Sequence, residues 1–97
     1  MIPPVTPILP IVHHNGTSQE ALLNGACEIG SALRHVLDAL VTHAPNQRDY
    51  YPDPDRWQLA IKQQVRRVDT IRALYQELQA EAEGIADDLR ALPSDPR

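Results

Sequence analysis

At 97 residues and 10.8 kDa the chain has room for one small domain, because surface outweighs volume at this size and any single core is thin. One Trp, three Tyr and no Phe, set against plentiful Leu, Ile, Val and Ala, favour helices and argue against a sandwich or barrel. A formal net charge of -4 and a pI near 5.4 argue against general nucleic-acid binding, which relies on clustered Lys and Arg.

From Met1 to Val12 the prolines Pro3, Pro4, Pro7 and Pro10 fix φ and remove backbone donors, so the segment is expected to be an extended, polyproline-like arm. Its other residues, among them Ile2, Val5, Ile8, Leu9, Ile11 and Val12, are too apolar for a solvated tail, so the arm is expected to pack on this assembly or to dock on another partner. It lacks the basic start and small-residue cleavage site of a secretory signal, and no apolar run is long enough to span a membrane. The expectation is a soluble, cytosolic protein. Without a secretion signal, the acceptor-like triplet Asn15-Gly16-Thr17 carries no weight as a glycosylation site.

Thr17-Ser18-Gln19-Glu20 fits a capping box and opens the first expected helix. Leu22, Ala26, Ile29, Leu33, Val36 or Leu37, and Leu40 recur at spacings of four and three, which predicts one apolar seam. Cys27 lies inside this amphipathic stretch and reads as a small buried thiol, in keeping with a reducing compartment. The small residues Ala21, Gly25, Gly30 and Ala32 either let another backbone approach or merely weaken an exposed face. Pro45 denies Ala44 an easy helical conformation and ends the helix.

After a loop from Pro45 to Asp53, Asp53-Pro54 reads as an N-cap followed by proline at the first helical position. The second helix carries the longest pattern in the chain: Trp57, Ile61, Gln64, Val68, Ile71, Tyr75, Leu78, Ala82, Ile85, Leu89 and Leu92, with Gln64 the one polar member. Pro93 and Pro96 stop it. Arg56, Lys62, Arg66, Arg67 and Arg72 occupy its first part and Glu77, Glu81, Glu83, Asp87 and Asp88 its second. This charge division suits antiparallel pairing or a plain solvated face.

The expected fold is therefore all-α: arm and turn over 1–16, a long antiparallel helical hairpin over 17–92 (helix 18–44, loop 45–53, helix 54–92) and a tail over 93–97. At the standard rise the helices measure about 40 and about 57 Å, so the first covers the second only to around Leu78 or Ala80. Ala82, Ile85, Leu89 and Leu92 then need cover from other copies of the chain or from the proline arm, and a homo-oligomeric bundle is the expected assembly. The flanks Ala60, Val65, Leu74 and Ala86 are expected to stay wet in a lone hairpin.

Two segments are candidates for ligand binding. His13, His14, Asn15, Gly16, Thr17 and Ser18 place a turn, hydroxyls and imidazoles at a helix N-terminus, where free amides and the dipole attract anions. Arg48, Asp49, Tyr50 and Tyr51 put two rings and a guanidinium within one loop, suited to stacking a base and pairing a phosphate. The plain alternatives are a turn and cap with solvated histidines, and tyrosines that cover the open end of the hairpin beside Trp57. No metal-ligand spacing links His13, His14, His35 or His43 to Cys27 or paired carboxylates, and no phosphate loop or nucleophile elbow is present. A non-enzyme without metal or cofactor is expected.

His14-Asn15-Gly16-Thr17-Ser18, then Ala44-Pro45-Asn46 and Arg48-Asp49-Tyr50-Tyr51-Pro52 between two helices, resembles small uncharacterised proteins of tailed bacteriophages and prophages. The resemblance covers most of the chain after the arm and implies phage origin, hence the cytoplasm of an infected bacterium. By looser analogy of shape, the architecture is similar to phage anti-defence sponges, small helical oligomers that sequester nucleotide messengers. That analogy implies a cyclic oligonucleotide or an ADP-ribose derivative as ligand. The competing expectation is a phage structural or assembly protein that uses the arm and bundle for protein contacts.

Overall fold

The computed structural model describes residues 5–91, with side chains described to residue 87. Pro3 and Pro4 of the arm, the Leu89 side chain, Leu92 and the tail prolines lie outside the described residues. Two long helices, α1 (Gln19–Thr42) and α2 (Pro54–Ala91), pack as a hairpin, with a short 3-10 turn (Gln47–Tyr50) in the connection. None of the described residues is in a strand.

α1 starts because Ser18 sits in extended conformation and its hydroxyl accepts from the Ala21 amide at 3.2 Å. The cap is thus Ser18 and not Thr17, and the reciprocal box with Glu20 is not formed; Glu20 instead adds negative charge to the first turn. At the other end the His43 amide reaches Ala39 O at 2.9 Å and the Ala44 amide reaches Val41 O at 3.3 Å, so the chain tightens and leaves the helix two residues before Ala44. Asp53 caps α2 through Oδ1, which accepts from the Arg56 amide at 3.1 Å.

Two glutamines set how the helices pair. Gln19 Nε2 donates to Ile85 O at 2.8 Å, and Gln64 Nε2 donates to Leu40 O at 2.7 Å. The second bond satisfies one of the carbonyls that the end of α1 leaves without an intrahelical partner, which accounts for the one polar residue in the α2 seam. In both pairs the residue numbers add to the same constant, so the register is straight over the whole length of α1. Gly30 lies against the Tyr75 ring in that register, where an added Cβ would be 4.0 Å from Cε1.

This register corrects the expected coverage. Leu40 stands opposite Gln64, well into α2, because the connection itself runs along the first turns of α2 and packs Tyr50 against Trp57. α1 therefore reaches Ile85, which is 3% exposed, and Ala82 is half-buried; neither waits for another subunit. From Trp57 to Ile85 every member of the α2 seam is buried or half-buried, while Val65 and Leu74 on its flanks are exposed and Ala60 and Ala86 are half-covered.

On α1 the inward face is rotated from the expected one. It runs through Gln19, Leu23, Ala26, Gly30, Leu33, Leu37 and Leu40, again at spacings of four and three, with Gln19, Ala26 and Gly30 buried. Ile29 is 52% exposed and Val36 is also exposed, because a large ring, Tyr75, takes the space next to Gly30. The same rotation leaves Cys27 exposed, not buried, so it carries no inference about a reducing compartment. Gly25 has nothing within 4 Å of an added Cβ and Ala21 and Ala32 are exposed, so of the four small residues Gly30 is the one that is buried against α2.

Residues 5–12 form neither helix nor strand. Leu9 lies on α2: a Cβ at Gly84 would sit 2.8 Å from Leu9 Cδ1. That contact gives a reason for a glycine inside a helix, where it costs about 1 kcal/mol relative to alanine. Ile8 and Ile11, on either side, point away and are 93% and 87% exposed.

The hairpin's core is small. Ala26 and Ile85 are its buried apolar residues, and the exposed surface of 7771 Å² compares with about 5500 Å² for a compact monomer of this mass. The radius of gyration, 19.4 Å, likewise exceeds the roughly 12.5 Å of a compact chain of this length.

Candidate functional site

At the start of α1 the chain makes a tight turn in which the Gly16 amide donates to His13 O at 3.0 Å. The His13 ring lies over Gly16, so close that an added Cβ would be 2.9 Å from Nε2; glycine is what lets the ring fold back. His13, His14, Asn15, Gly16, Thr17 and Ser18 are all exposed. Ser18 Oγ is engaged in capping, whereas the Thr17 hydroxyl and the His14 ring make no hydrogen bond among the described residues. The segment thus presents polar groups beside the positive end of a 24-residue helix.

At the other end of the hairpin the connection is held by its own backbone. Asn46 Oδ1 accepts from the Arg48 amide at 2.9 Å, Asn46 O accepts from the Asp49 amide at 2.9 Å, and Tyr50 O accepts from the Asp53 amide at 2.9 Å. Asn and Asp side chains favour such local turns because they bond the backbone two or three residues on. Tyr50 packs on Trp57 with ring centroids 5.9 Å apart and planes at 41°. Gln47, Arg48, Tyr50, Tyr51, Pro54 and Trp57 line a hollow of about 350 Å³ at this end.

The two tyrosines have different tasks. Tyr50 is half-buried against Trp57, as the covering alternative expected, while Tyr51 is 83% exposed at the rim. Arg48 forms no ion pair among the described residues; the pairs there are Arg34–Asp38 at 3.8 Å and Arg56–Asp53 at 3.7 Å, both exposed and worth little. A guanidinium and a free ring therefore share one concave surface. Gln47 and Pro54 join that lining without having been expected there: Pro54 is marked in the sequence only as a helix start, and nothing marks Gln47.

The structure brings Arg48, Tyr50 and Tyr51 together and keeps His14, Asn15, Gly16, Thr17 and Ser18 apart from them. The length of α1, 24 residues or about 36 Å, separates the two groups within one chain.

A second hollow of about 350 Å³ opens along the middle of the hairpin, lined by Ala26, Cys27, Gly30, Ser31, Arg34, Tyr75, Leu78, Gln79 and Ala82. It exists because α1 presents small residues where α2 presents long ones. Its lining is mostly apolar, and sequence reasoning missed it by placing Ile29 where Gly30 faces Tyr75.

Among the described residues no cluster of three or more His, Cys, Asp or Glu side chains has the arrangement of a metal site, and no helix is long and apolar enough to cross a membrane. Compared with known proteins, the chain matches no family model, no curated protein and no solved structure.

Proposed function

We propose that this chain is a phage-encoded, oligomeric binding protein that sequesters a nucleotide-derived immune signal, a cyclic oligonucleotide or an ADP-ribose derivative, and so blocks host defence in the cytoplasm of the infected cell. The observation that carries the reading is the hollow at the loop end, where the Arg48 guanidinium, in no ion pair among the described residues, stands beside the exposed Tyr51 ring. Aromatic faces stack any base, and a guanidinium pairs a phosphate through two parallel hydrogen bonds. Its volume of about 350 Å³ is within the range of small-molecule sites.

In this reading Tyr51 stacks the base, with Tyr50 held on Trp57 as its support. His14, Asn15, Gly16, Thr17 and Ser18 hold phosphate or ribose at the helix N-terminus. Because the two groups lie about 36 Å apart in one chain, a complete site takes one group from each of two copies. Oligomerisation is thus part of the proposal, and the large exposed surface of the lone hairpin supports it.

Calorimetry of the wild type against a panel of cyclic oligonucleotides and ADP-ribose derivatives tests the reading. Binding that weakens by about 5- to 150-fold in Tyr51→Ala, the span of one base–aromatic stack, is the expected result. Absence of binding by the wild type at tens of micromolar removes the idea.

The second reading is a virion or assembly component, favoured by the exposure of Ile8 and Ile11 on an arm whose Leu9 lies against α2. Those side chains suit a groove on a neighbouring protein. Mass spectrometry of purified particles separates the two: a structural protein is abundant in virions and a sponge is absent.

A further inference from the structure

The exposed side of the hairpin carries a pattern that is its own complement. On α2, Arg67, Leu74 and Glu81 follow at intervals of seven and so share one stripe, with Leu74 midway between opposite charges. On α1, Leu22, Ile29 and Val36 do the same, with Ile29 midway. Val36 and Arg67 line one shallow groove, which places both stripes on the same side of the hairpin. The contact of Gly30 with Tyr75 sets Ile29 and Leu74 at one height along it. Ile29, Val36 and Leu74 are exposed, and neither Arg67 nor Glu81 forms an ion pair among the described residues.

We infer that this face binds a second copy of the chain, antiparallel, about a two-fold axis that lies in the face and crosses both helices at Ile29 and Leu74. The axis stacks α2 on α2 so that Arg67 of each copy meets Glu81 of the other, twice over. It stacks α1 on α1 so that Ile29 meets its own counterpart and Leu22 meets Val36. Leu74, like Ile29, meets its own counterpart, so one operation matches two charges and four apolar positions, as an isologous contact requires. The exposed surface of 7771 Å² leaves ample room for the roughly 800 Å² each partner contributes to a stable interface.

The inference rests on the oligomeric reading above and gives it a geometry. Because the axis reverses chain direction, the His13–Ser18 end of one copy lies at the loop end of the other, which is the arrangement a shared site needs.

Sedimentation equilibrium of the wild type, Arg67→Glu, Glu81→Arg, the double variant and an equimolar mixture of the two single variants tests the inference, with helical circular dichroism as the check on folding. Each single variant puts like charges opposite each other at both places, and the dimer dissociation constant rises by about tenfold or more. Glu81→Arg does so although it reduces the net charge, which separates pairing from general repulsion. The double variant restores the dimer. The mixture forms a heterodimer in which both places hold opposite charges, a rescue that a role inside one chain does not produce. Association that is indifferent to all the swaps, or single variants that weaken without rescue on mixing, overturns this face and leaves the oligomeric reading standing. A wild type that stays monomeric at micromolar concentration overturns both.

Discussion

Truncating Ile85 to alanine separates the observed register from the one helix lengths alone suggest. Ile85 is 3% exposed and lies opposite Gln19. At about 0.8 kcal/mol per buried carbon, loss of the side chain beyond Cβ removes about 2.4 kcal/mol. The cavity adds little, because a two-helix core borders solvent and collapses easily. The expected cost is about 2–3 kcal/mol, or roughly 10–20 °C in Tm for a chain of this size. Leu59, 65% exposed on the same helix, is the control, and Leu59→Ala should stay within about 0.5 kcal/mol of wild type. Urea unfolding followed by helical circular dichroism, at one protein concentration throughout, gives both values. If Ile85→Ala costs no more than Leu59→Ala, α1 does not reach Ile85 and the glutamine-fixed register is wrong.

The cap position gives a second expectation: Ser18→Ala lowers stability by about 1 kcal/mol in the same assay, while Thr17→Ala leaves it nearly unchanged, and the reverse order would place the cap at Thr17. The arm contact gives a third. Gly84→Ala in a Leu9→Ala background should stabilise α2 by up to about 1 kcal/mol, and by clearly less with Leu9 present, since the leucine must then shift; equal effects in the two backgrounds would deny the contact. Gln64→Ala, which leaves Leu40 O without its side-chain donor, should cost about 1 kcal/mol, and no loss would mean that water replaces the bond fully.

Much of the fold was legible in the sequence where chemistry is local. The Asp53-Pro54 start of α2 and its seam from Trp57 to Ile85 follow from cap preference and apolar spacing, and the structure has both. What spacing did not reveal is which of two adjacent seams α1 turns inward. Leu22, Ile29 and Val36 are as regular as Leu23, Gly30 and Leu37, and the choice depends on the other helix, whose Tyr75 ring lies beside Gly30. Gln19 was missed because a polar residue does not register in an apolar pattern, although its place seven residues before Ala26 put it on the buried face. Helix lengths alone do not reveal the reach of α1, because the 3-10 turn of the connection runs beside the first turns of α2 and shifts α1 toward the far end. At the loop hollow, Arg48, Tyr50 and Tyr51 could be read from composition. The division between a supporting Tyr50 and a free Tyr51 could not, since it depends on where Trp57 sits.

Light scattering from the purified wild-type chain at micromolar concentration bears most directly on assembly through the exposed faces of the hairpin. The mass predicted is twice 10.8 kDa or a higher multiple. A single-chain mass from fully helical, cooperatively unfolding protein would contradict the assembly and, with it, any site shared between two copies.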